Sequence, residues 1–210
     1  MNQDINMADK RIKSRSIRQT LLAIYNRLFT AYGPQHWWPA ESPFEVMVGA
    51  ILTQSAAWKN VEKAITNLKA ADALSPQALR RLGLPELAAL VRPSGYYKAK
   101  ARKLKAMAEW LGENYGDDIA KMSTQTTEIL REQLLGVHGI GPETADSIIL
   151  YAANQPVFVI DAYTRRIFDR LGIVPEAKTY AGYKALFMNN LPADKKLFNE
   201  YHALLVQLGK

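Results

Sequence analysis

Apolar residues recur at intervals of three and four over nearly the whole chain, as in residues 21–29 and 44–52. This spacing places apolar side chains on one face of an α-helix and does not suit the two-residue period of a strand. Stretches that contain glycine and proline interrupt the pattern and divide the chain into about ten helices. Only residues 156–160, a short β-branched run, could form a strand, and an extended connector explains them equally well. The sequence therefore predicts an all-α fold.

One interruption, "LLGVHGIGPETAD", has the composition of a tight bend between two helices. Gly136, Gly139 and Gly141 permit positive φ or close backbone approach, and Pro142 suits the first position of a helix. The start of the second helix can accept an anion such as a backbone phosphate, without reading any base. An ordinary helix–helix turn is the alternative interpretation.

A second feature follows one helix later, in "VIDAYTRRIFDRLG". Asp161 stands directly before a predicted helix, where aspartate is among the preferred N-capping residues. Capping alone would explain an isolated aspartate in this position. The order of glycine hairpin, helix, apolar connector and aspartate is more distinctive than either motif alone.

Charge and cysteine content narrow the function classes. The chain has 27 Lys and Arg against 20 Asp and Glu, a net charge of +7, which favours a polyanionic partner. It has no cysteine, which excludes disulfides, thiolate zinc sites, Cys-ligated iron–sulfur clusters and a thiol nucleophile within these residues. His36, His138 and His202 are too scattered to predict a zinc site. The sequence shows neither a signal-peptide core nor an apolar run long enough for a membrane span, which predicts a cytoplasmic location.

Four motifs together resemble one family, the helix-hairpin-helix (HhH-GPD) DNA glycosylases of the endonuclease III type. They lie between residues 44 and 172 in family order, and they are "GAILTQSAAWKNVEKAI", "VRPSGYYKAKARKL", "LLGVHGIGPETAD" and "VIDAYTRRIFDRLG". The resemblance implies a six-helix barrel lobe (39–150), a second helical lobe from both chain ends (1–38 and 151–210), and the hairpin at the mouth of a cleft between them. The first motif is expected to be one barrel helix.

The resemblance places Asp161 at the catalytic position of the family. A carboxylate near the anomeric carbon can stabilise an oxocarbenium-like transition state or help to activate water. Family members that also cut the strand carry a lysine where this chain has Glu143, which cannot form a Schiff base. Lys59 or Lys100 could substitute only if the fold brought one into place. The site is therefore expected to be monofunctional.

The pocket for a flipped base is expected from the same resemblance. Trp37, Trp38 and Trp58 could wall it, Glu143 would lie beside it, and Gln54 would fill the hole left in the DNA. A tryptophan-rich pocket without the lysine is most similar to the branch that removes alkylated purines such as 3-methyladenine. Methylation makes the base cationic, and therefore both a good leaving group and a partner for indole faces.

The basic stretch from Arg92 to Lys105 is expected to contact DNA, with Lys98, Arg102 and Lys105 on one helical face. Leu104, Met107, Ala108 and Leu111 lie on the opposite face. The predicted DNA-binding residues are Gln54, Lys98, Arg102, Gly136, Gly139, Gly141, Thr144 and Arg165. The expected partner is double-stranded DNA, bound by a nucleoid-associated monomer without a membrane anchor. No cofactor is expected beyond a monovalent cation that hairpin carbonyls could hold.

Two alternatives stay open. The same fold could act on oxidised pyrimidines or mismatched bases, or the chain could be a non-catalytic module that uses the hairpin as a phosphate clamp.

Endonuclease III relatives often carry four cysteines after the last helix, near where this chain ends. Either the protein belongs to a cluster-free branch or the chain is truncated, and its uncapped apolar ending slightly favours truncation.

Overall fold

The structure, a computed structural model, describes residues 16–210. All the regular secondary structure in that range is helical, with no strand. The all-α prediction is confirmed. Residues 1–15 of the predicted lobe 1–38 lie outside the described part. The α-helices are α1 Ile17–Tyr32, α2 Pro43–Leu52, α3 Trp58–Ala70, α4 Pro76–Arg81, α5 Leu84–Leu90, α6 Tyr97–Tyr115, α7 Ile119–Met122, α8 Thr127–Gly136, α9 Pro142–Ser147, α10 Ala162–Arg170, α11 Tyr180–Met188 and α12 Lys195–Gly209. A 3₁₀ turn, Arg92–Ser94, precedes α6, and a π-helical turn, Ile148–Ala152, continues α9.

The chain forms two compact units. The first combines Met1–Trp37 with Phe158–Lys210 and contains α1, α10, α11 and α12. Its core is aromatic: Phe158 stacks on Phe187 with 3.8 Å between ring centroids, and Phe198 and Tyr201 meet Phe158 edge-on. Helix α12 packs against both α1 and α10 in this unit.

The second unit, Trp38–Val157, contains α2 to α9. Helix α2 is buried along nearly its whole length, and α6 packs against α4 and α5. The four predicted core residues of α6, Leu104, Met107, Ala108 and Leu111, are completely buried. Residues 156–160, which cross from this unit to the first, form an extended connector rather than a strand.

Short polar residues determine where most of these helices begin. A Ser, Thr or Asp side chain accepts a hydrogen bond from a first-turn amide, which satisfies a donor that has no partner inside the helix. The residues that cap in this way are Ser16, Ser42, Ser75, Asp118, Thr126, Asp161, Thr179 and Asp194.

The motif "GAILTQSAAWKNVEKAI" is not the single helix that the sequence predicted. Helix α2 ends at Leu52 and α3 begins at Trp58, with Ser55 between them at φ 52°. The Thr53 amide still donates to the Gly49 carbonyl, and the next amide, that of Gln54, donates to the Ile51 carbonyl in a tighter turn that ends the helix. The Thr53 hydroxyl also donates to the carbonyls of Gly49 and Ala50. Gln54 and Trp58 are therefore separated by a bend and not by one helical turn.

Candidate active site and DNA-binding surface

Asp161 is the N-cap of α10, as its position in the sequence predicted. The Thr164 amide donates to Asp161 Oδ1 at 2.7 Å. The other carboxylate oxygen, Oδ2, lies 3.7 Å from Nε2 of His202. The Asp161 side chain is 13% exposed, so it keeps a small accessible surface while one oxygen caps the helix.

Opposing influences act on the ionisation of Asp161. Burial raises its pKa, whereas His202 and the Thr164 amide lower it, and the pKa lies below the ordinary aspartate value as a result. Asp161 is therefore an anion at neutral pH although it is largely buried. An anion held in low-dielectric surroundings is suited to stabilise developing positive charge.

Arg165, expected to bind DNA, lies one turn beyond Asp161 and is engaged within its own unit. Its guanidinium carbon stands 5.9 Å from the ring centroids of both Tyr180 and Tyr183. These cation–π contacts hold the side chain at the surface of α10. Its part in DNA binding stays a prediction.

The hairpin joins α8 to α9 across residues 137–141, and only one of its glycines is required by the protein itself. Gly139 has φ +81°, and a Cβ there would collide with the side chain of Lys103. Gly136 and Gly141 have no positive φ and face open space. These two positions therefore leave room for close approach of a ligand's backbone.

Gln54, predicted to fill the hole in the DNA, is bonded to the hairpin. Its Nε2 donates to Thr144 Oγ1 at 2.9 Å and to the Gly139 carbonyl at 3.2 Å, and its Oε1 accepts from Lys103 Nζ at 2.5 Å. Thr144 is buried and takes part in this link between the hairpin and the α2–α3 bend. Gln54 and Thr144 are thus brought together, with Lys103 as a third member that the sequence did not single out.

A buried ion pair fastens the two helices of the hairpin to each other. The Arg131 Nε in α8 donates to Oδ1 of Asp146 in α9 at 2.8 Å, and the Asp146 side chain is completely buried. The charge on Asp146 is tolerated there because it has a charged, hydrogen-bonded partner. This contact ties α8 to α9.

An aromatic cluster forms around Trp38. Its ring meets Trp58 edge-on at 5.5 Å between centroids and lies 5.3 Å from Tyr151 in the π-helical turn. Gly49 makes room for it, since a Cβ there would stand 3.0 Å from Trp38 Cζ2. Trp58 Nε1 donates to Glu62 at 2.8 Å. The cluster unites two of the predicted pocket residues with Tyr151, which no sequence motif had indicated.

The other two predicted pocket residues are placed differently. Trp37 is partly exposed and belongs to the first unit. Glu143 is exposed in the first turn of α9, where an acidic side chain is favoured by the helix dipole.

The basic stretch divides into two groups. Lys100 is 1% exposed and donates to the carbonyls of Leu52 and Ser94 at 2.9 and 2.6 Å. Lys105 likewise donates to the carbonyls of Arg80 and Leu82. With Lys103 bonded to Gln54, these three lysines have structural contacts. Lys105 is half-buried and is therefore not an exposed cation like Lys98 and Arg102. Lys100 is not placed as a surface nucleophile.

The remaining cations, Arg92, Lys98 and Arg102, are exposed. They line a cavity of about 470 Å³ whose other walls are Leu84, Pro85, Ala88, Ala89 and Tyr97. The Arg92 guanidinium carbon stands 5.9 Å from the centroid of the Tyr97 ring. No acidic side chain lines this cavity, so its rim is suited to phosphates.

Metal-binding groups are not clustered in the described part of the chain. Between residues 16 and 210, no group of three or more His, Asp and Glu side chains is arranged to hold a metal ion. In the hairpin, the carbonyls of Val137 and Gly139 accept hydrogen bonds from the Ile140 amide and from Gln54. A carbonyl oxygen has two lone pairs, so one hydrogen bond does not prevent it from binding a cation as well. The monovalent cation stays a prediction. No helix from residue 16 onward is long and apolar enough to cross a bilayer.

Comparison with known proteins agrees with this arrangement. Residues 48–193 match the HhH-GPD superfamily of base excision DNA repair proteins. A protein of Methanocaldococcus jannaschii, provisionally named a DNA repair glycosylase, is 47% identical over 191 residues, 90% of this chain and 86% of its own. Endonuclease III of Thermotoga maritima is 27% identical over 168 residues, 80% of this chain and 73% of its own.

Solved structures show the same fold. The 3-methyladenine DNA glycosylase of H. pylori, bound to 1,N6-ethenoadenine, superposes with a TM-score of 0.76 at 28% identity, over 92% of this chain and 97% of that one. A trapped endonuclease III–DNA covalent intermediate gives a TM-score of 0.76 at 20% identity, over 90% of this chain and 84% of that one. The extent of the family match and the 47% identity to a relative over most of both chains show that this chain belongs to the HhH-GPD superfamily of base excision DNA repair proteins and is a DNA glycosylase of that superfamily.

Proposed function

We propose that this protein is a monofunctional DNA glycosylase that hydrolyses the N-glycosidic bond of a flipped alkylated purine, such as 3-methyladenine. The observation that carries the proposal is the Asp161 carboxylate, which is largely buried, caps a helix through one oxygen and is ionised at neutral pH. As the bond from the sugar to the base breaks, the base leaves with the electron pair. The sugar then develops positive charge, which the Asp161 anion stabilises until water adds at C1′ and gives up a proton to the solvent.

The chemistry of the substrate explains why one carboxylate suffices. An alkylated purine is cationic before it leaves and neutral afterwards, so it needs no proton from a general acid. The indole and phenol rings of Trp38, Trp58 and Tyr151 offer the electron-rich faces that attract a cationic base. The 28% identical 3-methyladenine glycosylase, whose structure holds an adenine adduct, supports this substrate class.

The absence of lyase activity rests on position 143. A strand-cutting member of the family needs a lysine amine in the first turn after the hairpin, and this chain has a carboxylate there. Lys100, considered as a substitute, is committed to two buried carbonyls. Borohydride should therefore trap no covalent complex with DNA.

DNA binding is proposed to use the hairpin and the exposed cations Arg92, Lys98 and Arg102. The space at Gly136 and Gly141 permits a phosphate to approach the hairpin amides. Replacing Arg102 by Gln should lower the slope of log affinity against log salt by about one unit. Lys63, exposed on α3 and outside the 470 Å³ cavity, is the matched control.

The test of catalysis is single-turnover excision from duplexes that contain 3-methyladenine, 7-methylguanine, hypoxanthine, thymine glycol or a G·T mismatch, each with and without alkali. The wild type should release an alkylpurine, with strand breaks only after alkali. Asp161→Asn should bind the same DNA and lose all but a slow residual excision. Asp194→Asn is the control, because Asp194 is also an N-cap in this unit and the same substitution there preserves capping.

Other outcomes would redirect the assignment. Release of thymine glycol or of the mismatched base alone would move the substrate to oxidised or mismatched pyrimidines. Strand breaks without alkali would contradict the monofunctional assignment. Tight DNA binding without release from any substrate would favour the non-catalytic clamp.

A further inference from the structure

His202 is a buried polar residue that the chemistry above does not use. It lies in the middle of α12, where it is 6% exposed, and its neighbours Tyr201, Ala203, Leu204 and Leu205 are buried as well. An imidazole on such a face costs desolvation that an aliphatic side chain would avoid. The group that its Nε2 atom faces therefore indicates what the side chain does.

That atom faces the catalytic carboxylate. His202 Nε2 lies 3.7 Å from Asp161 Oδ2, while the Thr164 amide holds Oδ1. The two side chains belong to α12 and to the start of α10, helices that pack against each other within one unit. One oxygen is thus fixed by the backbone and the second is adjacent to an imidazole.

The distance is somewhat long for a hydrogen bond, and it suits a contact that becomes shorter when substrate binds. Catalytic hydrogen bonds in ligand-free enzymes are often long and become shorter in the complex. The nearest cation along α10, Arg165, stands over the rings of Tyr180 and Tyr183. Within the described part of this unit, His202 is the side chain outside α10 that lowers the pKa of Asp161.

On the basis of the function proposed above, we propose that His202 is a positioning residue for Asp161. In the complex with substrate, where this contact is shorter, it donates from Nε2 to Oδ2 and so fixes the plane of the carboxylate relative to the sugar of the flipped nucleotide. Since Thr164 binds only Oδ1, the carboxylate could otherwise turn about its Cβ–Cγ bond. His202 acts through Asp161 and needs no contact with the DNA.

Two variants separate this role from packing. His202→Leu fills the space without a donor, and His202→Gln keeps an amide nitrogen near the position of Nε2. We expect His202→Leu to reduce the single-turnover excision rate about tenfold or more, the equivalent of one lost hydrogen bond. The dissociation constant for DNA should change less than about twofold, and His202→Gln should recover most of the rate. Equal impairment of both variants, or full activity of His202→Leu, would overturn the proposal.

A double variant tests whether His202 acts through Asp161. If it does, the residual excision rate of Asp161→Asn, measured with excess enzyme over long incubation, falls no further when His202→Leu is added. Additive losses would show an independent role and would contradict the proposal.

A carboxyl ¹³C NMR titration of Asp161 keeps the test independent of activity. Without His202, the pKa of Asp161 in His202→Leu should rise towards or above its ordinary value, because burial then acts with less opposition. An unchanged pKa would contradict the pairing. If the wild type excises no base, the proposed function fails, yet the titration still decides whether His202 holds the carboxylate.

Discussion

Lys100→Met replaces a buried ammonium by an apolar side chain of similar length. This substitution changes the free energy of unfolding in two opposite ways. The variant loses two charge-assisted hydrogen bonds, to the carbonyls of Leu52 and Ser94, which together contribute about 3–6 kcal/mol. It also removes the cost of burying the charge. Burial lowers the pKa of Lys100 from 10.5 to about 8, with a smaller contribution from Lys103, and this shift corresponds to about 3 kcal/mol at neutral pH. The difference leaves the variant less stable by roughly 0–3 kcal/mol at neutral pH.

The sign of the pH dependence follows from the same shift. Between pH 8 and 10.5 the unfolded chain holds a proton on Lys100 that the folded chain has released, so wild-type stability rises with pH. Lys100→Met lacks this gain. The stability difference between the two proteins should therefore widen by about 2 kcal/mol between about pH 7 and pH 9.5.

Urea denaturation followed by tryptophan fluorescence measures both quantities, since Trp38, Trp58 and Trp110 all report on the unit that contains Lys100. Lys98→Met is the control: it makes the same substitution on an exposed residue of α6 and should change stability by less than about 0.5 kcal/mol at either pH. If Lys100→Met were clearly more stable than the wild type at neutral pH, or if the difference narrowed at high pH, the assignment of Lys100 as a charged partner of two carbonyls would be refuted.

Three further predictions concern stability. The Arg80 hydrogen bond holds the pKa of Asp117 below its ordinary value, so the pair stabilises the fold above about pH 4 and this contribution disappears as the pH falls through the folded pKa. Asp117→Asn should cost roughly 1–2 kcal/mol at neutral pH and progressively less in acid, as measured by urea denaturation. Gly139→Ala should cost about 1–2 kcal/mol or more in the same assay, because alanine strains at φ +81° and collides with Lys103. Gly136→Ala should preserve thermal stability, since it faces open space at the end of a helix, but it should weaken DNA binding if a phosphate occupies that space.

The sequence predicted the features that depend on short-range pattern. The helical period, the hairpin between α8 and α9, and the capping position of Asp161 all follow from residues close together in the chain. Helical capping and glycine placement are local effects, so they can be inferred without tertiary structure. The bend between α2 and α3 was not predicted, because residues 53–57 contain neither glycine nor proline. The helix ends where the Gln54 amide bonds to the Ile51 carbonyl and Ser55 takes φ 52°, neither of which a periodicity argument can predict.

Roles that depend on long-range contacts could not be inferred in the same way. Charge and helical face suggested that Lys98, Arg102 and Lys105 are equivalent, but Lys105 reaches carbonyls that lie more than twenty residues earlier in the chain. His202 illustrates the same limit, since 41 residues separate it from Asp161 in sequence and only the packing of α12 on α10 brings them together. A histidine within an apolar helix carries no local signal that could have identified this pair.

The distribution of lysines in the second unit explains how the hairpin is supported. Lys100 ties α6 to the end of α2, and Lys103, one turn later, ties the same helix to Gln54 and through it to Gly139 and Thr144. A long helix that carries both structural and exposed cations can therefore hold the hairpin loop while it presents Lys98 and Arg102 to solvent. Since amides bind a phosphate well only when their positions are fixed beforehand, we expect the structural lysines to contribute to DNA binding without touching DNA. Lys103→Met should consequently weaken binding through the hairpin. Its effect should depend less on salt than that of Arg102→Gln, because the hydrogen bond that Lys103→Met removes is internal to the protein.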